Sequence, residues 1–289
     1  MEKKRNLTLM QKMTLWFTLI ILLPSCVLSM VLYRTMTARA YDLLVEDNYA
    51  VLNIARESIS RSAASVENMV EMLSLDSDLN KLLSDGKQTQ YQRVVKILFE
   101  LGDLFSQAQL MLSGLDARVS LYFMDARIPE TYWSFLRFER LERRENYQRF
   151  LSTGKNAGWS GLDWIYPEET DLRPSGNQQM LCYNQKILSG FGECVGVIRC
   201  GVSPQKIFSP LQLEGSGDAC YVLCGGETIY ASNGAKPLPK NYDPAANKQI
   251  LDRQLYLTRE VEGMDVSLVM RLDYRALHRQ RSPAAWCRS

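Results

Sequence analysis

Residues 180–202 read MLCYNQKILSGFGECVGVIRCGV, and this stretch decides the fold. Two runs rich in aliphatic, aromatic and cysteine side chains flank a short segment, 189–192, that carries two glycines. Runs of this length on either side of a glycine-containing turn are typical of an antiparallel β-hairpin. The stretch therefore predicts a sheet in which these two strands are neighbours.

Apolar runs of strand length on both sides of this hairpin predict further strands. Residues 119–124 (VSLYFM) precede it, and residues 219–231 and 254–272 follow it as two more hairpins with glycine in their turns. Residues 154–176 are rich in glycine, proline and charge and predict a loop. Helical patterns followed by two tandem antiparallel sheets define the expected fold class, α+β.

Helices are predicted mainly before the strands. Residues 35–75 contain no glycine or proline, and apolar or small residues recur along one face at steps of three and four. That face is formed by Leu44, Asn48, Val51, Ala55, Ser58, Ser62, Val66, Met69 and Leu73. Two interpretations stay open: the helix packs on a globular domain, or it is a stalk that also dimerises. Residues 89–112 predict another helix, and residues 137–150 predict a charged helical piece.

An apolar segment near the start predicts a membrane anchor. Residues 13–33 carry no charge, and about 20 apolar residues in a helix cross the ~30 Å hydrocarbon layer. Trp16 and Tyr33 lie near its ends, where aromatic rings favour the interface. A cleaved signal peptide is the alternative, but the small residues at 38–40 come well past the apolar run, which favours an uncleaved anchor. Basic residues precede the span, so residues 1–12 are expected in the cytoplasm and the rest outside.

Composition excludes several classes of function. The 289 residues carry a net charge of +2, which gives no electrostatic footprint of a nucleic-acid binder. The single histidine, His278, leaves no His-based triad or multi-histidine metal site, and no glycine-rich phosphate loop is present. The seven cysteines lack metal-ligand spacing; buried thiols are favoured, with one disulfide as the alternative. Neither a metal nor a cofactor is expected, and the chain is not expected to be an enzyme.

The order of these segments resembles a double Cache domain: an anchor with a mid-span proline, a long exit helix and two tandem PAS-like sheets. More narrowly, the chain is similar to the extracytoplasmic sensor region of YesM-like bacterial histidine kinases. Strands 184–187 and 194–200 carry the resemblance in the first sheet, and residues 203–207, 221–230 and 263–270 carry it in the second. The resemblance covers residues 7 to about 277 and implies a ligand-sensing module of a two-component-type receptor.

The resemblance also implies a division into segments. These are a cytoplasmic N-terminus (1–12), a transmembrane helix (13–33), a stalk helix (34–75), a membrane-distal PAS-like unit (76–202), a membrane-proximal PAS-like unit (203–275) and a basic tail (276–289). Such receptors continue with a second membrane helix and a kinase. The tail is basic without an apolar span and no kinase motif is found, so we expect a sensor without its output, either a fragment or a frame-shifted product.

One predicted binding site lies between the first strand and the long hairpin. A binding cleft needs aromatic walls and a few placed polar groups, and residues Trp159, Asp163, Trp164, Tyr166 and Tyr183 supply both. Indole faces suit sugar C–H surfaces or cations, and carboxylates suit hydroxyls or amines. In Cache sensors the membrane-distal sheet and its loops hold the ligand, so the resemblance implies this region. The alternative is that the two tryptophans merely cover the sheet.

A second candidate set lies around the first strand and the segment after it. It consists of Tyr122, Asp125, Arg127, Trp133 and Arg137. These side chains are cationic, anionic or amphipathic, which is the mixture that a polar ligand requires.

The sequence thus predicts a membrane-anchored extracytoplasmic module that binds a small molecule. A sugar is the first expectation, because relatives of the resembled family often sit beside carbohydrate-uptake genes. A homodimer through the exit helix is expected, and nucleic acid is not. The alternative function is a membrane-anchored interaction protein that binds a partner without signalling.

Overall fold

A computed structural model describes residues 9–84, 89–128, 130, 134–164, 179–212, 218–232 and 234–273. The chain divides into two units, residues 1–51 and 52–289. Helix α1, Leu9–Ser74, contributes to both.

The first unit consists, where described, of the N-terminal part of α1. Among the described residues, α1 is the one helix long and apolar enough to cross a membrane, and the side chains of its most apolar window are exposed. Pro24 lies inside the helix. The hydroxyls of Thr14, Thr18 and Ser25 donate to the carbonyl four residues earlier, so these polar groups are satisfied within the helix itself.

Shorter helices accompany α1 in the second unit. They are α2 (Ser77–Ser84), α3 (Gln90–Lys96), α4 (Gly102–Met111), α5 (Glu139–Glu142), α6 (Glu145–Ser152) and α7 (Pro204–Ile207). A π-helical turn, Ile97–Leu101, joins α3 to α4, and 3₁₀ turns follow at Ser113–Leu115 and Ser209–Leu211. Thr89 and Gln92 form a capping box that starts α3.

The described strands form two five-stranded sheets with the same order of strands. Sheet 1 contains β1 (Arg118–Phe123), β2 (Phe135–Arg137), β3 (Ala157–Trp164), β4 (Gln179–Leu188) and β5 (Cys194–Val202) in the order β2-β1-β5-β4-β3. Sheet 2 contains β6 (Ala219–Cys224), β7 (Glu227–Ala231), β8 (Lys248–Leu251), β9 (Gln254–Val261) and β10 (Val266–Asp273) in the order β7-β6-β10-β9-β8. The predicted α+β class with two tandem antiparallel sheets is confirmed.

The predicted loop 154–176 is wrong in its first half, because Ala157–Trp164 is a strand at the edge of sheet 1. The pairing of β3 with β4 shifts between Trp159 and Leu162, which marks a β-bulge. Gly161 lies in this bulge with φ +81°, a backbone conformation that L side chains rarely adopt. The two glycines of β3 interrupt the alternation of apolar and polar side chains that indicates a strand, so the sequence pattern predicts a loop.

The buried face of α1 is rotated from the predicted one. Within the second unit the buried apolar residues of α1 are Leu52, Ala55, Ile59, Ala63, Val66, Val70 and Leu73. Ala55, Val66 and Leu73 belong to the predicted face, whereas Val51 is exposed and Ile59 is fully buried. Steps of three and four fit two overlapping faces here, and the larger aliphatic side chains occupy the buried one. This part of α1 is therefore a core helix of the second unit.

The second predicted helix, 89–112, is interrupted by the π-helical turn. Ile97, Leu101 and Phe105 are buried as core, whereas Tyr91, before the π-helical turn, is exposed. An extra residue in one helical turn rotates the two halves relative to each other, so a single 3.6-residue period cannot describe both.

Candidate functional site

Asp163 is held between two arginines on one face of sheet 1. Its Oδ2 accepts a hydrogen bond of 2.6 Å from Nη2 of Arg199, and its Oδ1 accepts one of 3.0 Å from Nη1 of Arg144. The backbone N–H of Trp164 also donates to Oδ1, at 2.8 Å. The Arg199 side chain is 0% exposed and that of Asp163 is 11% exposed. This is a largely buried ion-pair cluster, which proteins build with paired charges because unpaired ones are costly to desolvate.

The strands of sheet 1 position this cluster. Arg199 lies on the central strand β5, directly opposite Ser120 of β1 and Asn184 of β4. Residues that face each other across antiparallel strands share one side of the sheet, so Ser120, Asn184 and Arg199 project to the same side. Asp163 comes from the end of the edge strand β3.

Helix α6 closes this side of the sheet. Arg144 is its N-cap residue and makes no side-chain cap, so its guanidinium is available to Asp163 and to the Trp164 carbonyl, which accepts a hydrogen bond of 2.6 Å from it. The side-chain amide of Asn146 donates to the carbonyl of Leu162. The start of α6 is thereby tied to β3.

Several buried polar atoms around the cluster have no partner within the described chain. They are Nε and Nη1 of Arg199, the hydroxyls of Tyr122 and Tyr147, and Oδ1 of Asn184. Burial raises the pKa of Tyr122, although Arg199 and Arg144 oppose the shift, so its hydroxyl stays a neutral donor. Buried donors without acceptors cost roughly 1–3 kcal/mol each, and native proteins leave few of them. The cluster thus contains unused donors, but the residues that carry them are buried and do not line the neighbouring cavity.

A cavity of about 700 Å³ opens beside this cluster. We call it the arginine cavity; its lining residues are Glu130, Arg137, Glu139, Arg140, Arg143, Arg144, Glu145, Asn146, Asp163 and Trp164. Arg140 is paired with Glu130 through two hydrogen bonds of 2.7 and 2.9 Å. That pair holds the pKa of the Glu130 carboxyl below its usual value. The volume is typical of a small-molecule site.

The predicted site residues do not all meet in this cavity. Asp163 and Trp164 line it, and Arg137 of the second predicted set lines it too. Tyr122 lies in the buried cluster beside it. The charges of Arg199, Arg144 and Asp163 all affect the pKa of its hydroxyl.

Trp159 and Tyr183 line a different cavity, of about 750 Å³, between the two sheets. Their ring centroids are 5.4 Å apart, and Nε1 of Trp159 donates to Oε1 of Glu67 at 2.8 Å. The edge strand β3 therefore contributes to both cavities, with Trp159 and Trp164 separated by its bulge.

Asp125 and Arg127 form an ion pair that lines neither cavity. Oδ2 of Asp125 accepts from Arg127 at 2.8 Å and from the buried Arg93 at 2.9 Å. Tyr166 and Trp133 lie outside the described residues.

Sequence reasoning missed the arginines that define the cluster. Arg199 did carry a signal, because a single charge stands inside the apolar strand Cys194–Val202. Arg144 carried none, since it is one of several basic residues in the charged segment 137–150.

The six described cysteines are free thiols: Cys26, Cys182, Cys194, Cys200, Cys220 and Cys224. Cys182, Cys200 and Cys220 are buried, as the sequence predicted for most of them. Burial raises the pKa of these three thiols, which keeps them protonated and unreactive.

The fold is similar to that of solved sensory and ligand-binding domains. The ligand-binding domain of the Campylobacter jejuni chemoreceptor Tlp3 in complex with L-valine has a TM-score of 0.54 at 13% identity, covering 84% of this chain and 97% of that one. The sensor domain of the V. cholerae histidine kinase DctB has a TM-score of 0.52 at 12% identity, covering 81% and 98%.

An extracellular ligand-binding receptor from Desulfohalobium retbaense has a TM-score of 0.51 at 13% identity, covering 77% of this chain and 39% of that one. No family model matches the chain, and no curated protein matches it. At these identities the likeness shows the fold alone, which this chain shares with these sensory and ligand-binding domains.

Proposed function

We propose that the chain is the ligand-sensing part of a membrane-anchored receptor, and that the arginine cavity binds its ligand. The observation that carries the proposal is the buried Asp163–Arg144–Arg199 cluster, which has unused donors and lies beside a cavity of about 700 Å³. Such buried polar networks are expensive for stability alone. A ligand that pairs with Arg144 and Asp163, the two members of the cluster that line the cavity, provides a reason for the network.

The lining of the cavity favours an ionic ligand. Four arginines and four carboxylates line it, and Trp164 is the one aromatic residue among the described lining residues. A planar guanidinium binds a carboxylate with two parallel hydrogen bonds, whereas a sugar site uses more aromatic surface and fewer charges. We therefore favour a small carboxylate or a zwitterion such as an amino acid over the sugar expected from the sequence. The L-valine bound to the Tlp3 domain supports this choice.

The remaining parts of the receptor proposal rest on the sequence. The N-terminal half of α1 anchors the chain, the sheets lie outside the cytoplasm, and two copies associate through α1. The narrower YesM-like assignment, in which the output is a histidine kinase, is part of the same proposal and is supported by the strand patterns quoted above.

A binding experiment on the full chain in detergent tests the site. We expect heat release on titration with at least one member of a panel of amino acids, dicarboxylates and sugars. Arg144→Gln and Asp163→Asn should abolish it, because each removes one charge from the cluster. Arg149→Gln is the matched control, since Arg149 lies on α6, is 64% exposed and is not a lining residue of the cavity. Equal binding by all four proteins would reject the arginine cavity as the site.

A further inference from the structure

The cavity between the two sheets is separate from the arginine cavity and has a different character. We call it the inter-sheet cavity; it has a volume of about 750 Å³ and is walled by α1, by β3 and β4 of sheet 1, and by the β9–β10 hairpin of sheet 2. The sheets approach closely beside it, because a Cβ added at Gly161 would lie 3.7 Å from Sγ of Cys224. A molecule inside would contact both sheets at once.

One wall of the inter-sheet cavity is aromatic and rigid. Trp159 packs against Tyr183, and the Trp159 Nε1–H is fixed by the carboxylate of Glu67. An indole ring held in one orientation offers its face to a cation, and the attraction is stronger when the cation is desolvated. The methylene groups of an aliphatic ligand pack on the same surface.

The opposite wall is acidic. Glu260, Glu262 and Asp265 of the β9–β10 hairpin line the cavity together with Glu67, and Lys155 is the one cation among the described lining residues. At the aromatic wall, burial and then the carboxylates of Glu67 and Glu71 raise the pKa of Tyr183 to about 12, which agrees with a negative potential on that side of the cavity as well. A cleft with walls of one sign focuses the field and concentrates ions of the opposite sign.

The carboxylates suit a ligand with separated charges and do not suit a metal ion. Among the described residues, no three histidine, cysteine, aspartate or glutamate side chains are close enough together to hold a metal. The acidic groups are instead spread over facing walls. We propose that the inter-sheet cavity binds a linear aliphatic diamine or polyamine, whose ammonium groups pair with Glu67 and the hairpin carboxylates and whose methylenes pack on Trp159.

Calorimetric titration of the full chain in non-ionic detergent tests this proposal with putrescine and spermidine as probes. We expect saturable binding that is tighter for spermidine and that weakens with added salt, because the attraction is between charges. Glu67→Gln and Glu260→Gln should each weaken spermidine binding tenfold or more. A glutamine at 67 still offers an oxygen to the Trp159 N–H, so this variant removes the charge and keeps the contact that orients the ring.

Two control variants test whether the loss of spermidine binding is specific to the inter-sheet cavity. Glu57→Gln removes an exposed charge of α1 that lies outside the lining, so spermidine binding should change less than twofold. Asp163→Asn, in the arginine cavity, should leave spermidine binding intact, so the two sites can fail independently. Absence of binding at low salt, or an equal loss in Glu67→Gln and Glu57→Gln, would overturn the proposal.

Discussion

Arg93 is buried far more completely than its charge and its place on a short helix predict. Its side chain is 2% exposed, and Nη1 donates to Oδ2 of Asp125 at 2.9 Å. Asp125 lies just after β1 and also accepts from the exposed Arg127. The Asp125 carboxylate therefore joins α3 to the end of strand β1. Of its two arginine partners, Arg93 is removed from solvent and Arg127 is not.

Removing the carboxylate should be costly. We expect Asp125→Asn to lower the free energy of unfolding by about 3–5 kcal/mol, because it leaves the buried Arg93 without this counter-charge. Arg127→Gln removes the exposed partner and should lower the free energy of unfolding much less, because solvent screens an exposed charge pair. Urea denaturation of both variants measures the difference. Similar costs for the two variants would show that burial of Arg93 does not control the effect.

The same carboxylate makes stability depend on pH. Hydrogen bonds from Arg127 lower the pKa of Asp125 well below its usual value, against a smaller opposing effect of burial. A carboxyl group with a depressed pKa stabilises the fold fully above its unfolded value of about 4, and this contribution declines as pH falls towards the folded-state pKa. Melting temperature should therefore fall between pH 4 and pH 2, and the fall should be smaller in Asp125→Asn.

Trp164 tests the arginine cavity without disturbing the core. The side chain is 36% exposed, so Trp164→Ala should lower the melting temperature less than loss of a core tryptophan, which costs about 3–5 kcal/mol. An aromatic anchor contributes about 2 kcal/mol or more to binding, so ligand affinity should fall roughly thirtyfold. Thermal shifts with and without ligand measure both quantities. A large fall in the melting temperature of the ligand-free variant would show that Trp164 is part of the hydrophobic core.

At the scale of single elements, hairpins could be predicted and contacts between distant elements could not. The pair β4–β5 follows directly from two apolar runs and a glycine turn, because adjacent strands with a short turn have few alternatives. Strand β2 spans three residues, Phe135–Arg137, and pairs with β1 in parallel, which no local pattern indicates. The Asp163–Arg199 contact joins residues 36 positions apart, so only the folded sheet brings them together.

In helix α1, the residues that stabilise the fold differ from those expected to form the proposed dimer contact. Ile59 is fully buried, so Ile59→Ala should cost about 2–5 kcal/mol of stability. Ile54 is 67% exposed, so Ile54→Asp should leave the sheets folded and weaken the proposed dimer, as should Val51→Asp. Light scattering after size exclusion in detergent measures association, and circular dichroism measures folding. Unfolding by Ile54→Asp would show that this face of α1 belongs to the core.

At the scale of the whole molecule, the direction of the chain across the membrane follows from charge. Lys3, Lys4, Arg5 and Lys12 precede the apolar segment of α1, and acidic residues soon accompany the two arginines that follow it. An alkaline phosphatase fused after Ser289 should therefore be active, and a green fluorescent protein fused there through the Sec pathway should be dark. An inactive phosphatase and a fluorescent protein would instead place residues 34–289 in the cytoplasm and contradict the proposed function.

The strand order that both sheets share affects the chain while it is being synthesised. The strand at the centre of each sheet, β5 or β10, is the last of its five to leave the ribosome. The 70 residues between Phe123 and Cys194 take roughly 4–14 s to translate at about 5–20 residues per second. Throughout that interval β1 lacks its neighbour β5, and β4 lacks the same neighbour from the time it is made. Unpaired strand edges attract other chains, so the growing chain is most vulnerable to aggregation before residue 194, and again before residue 266.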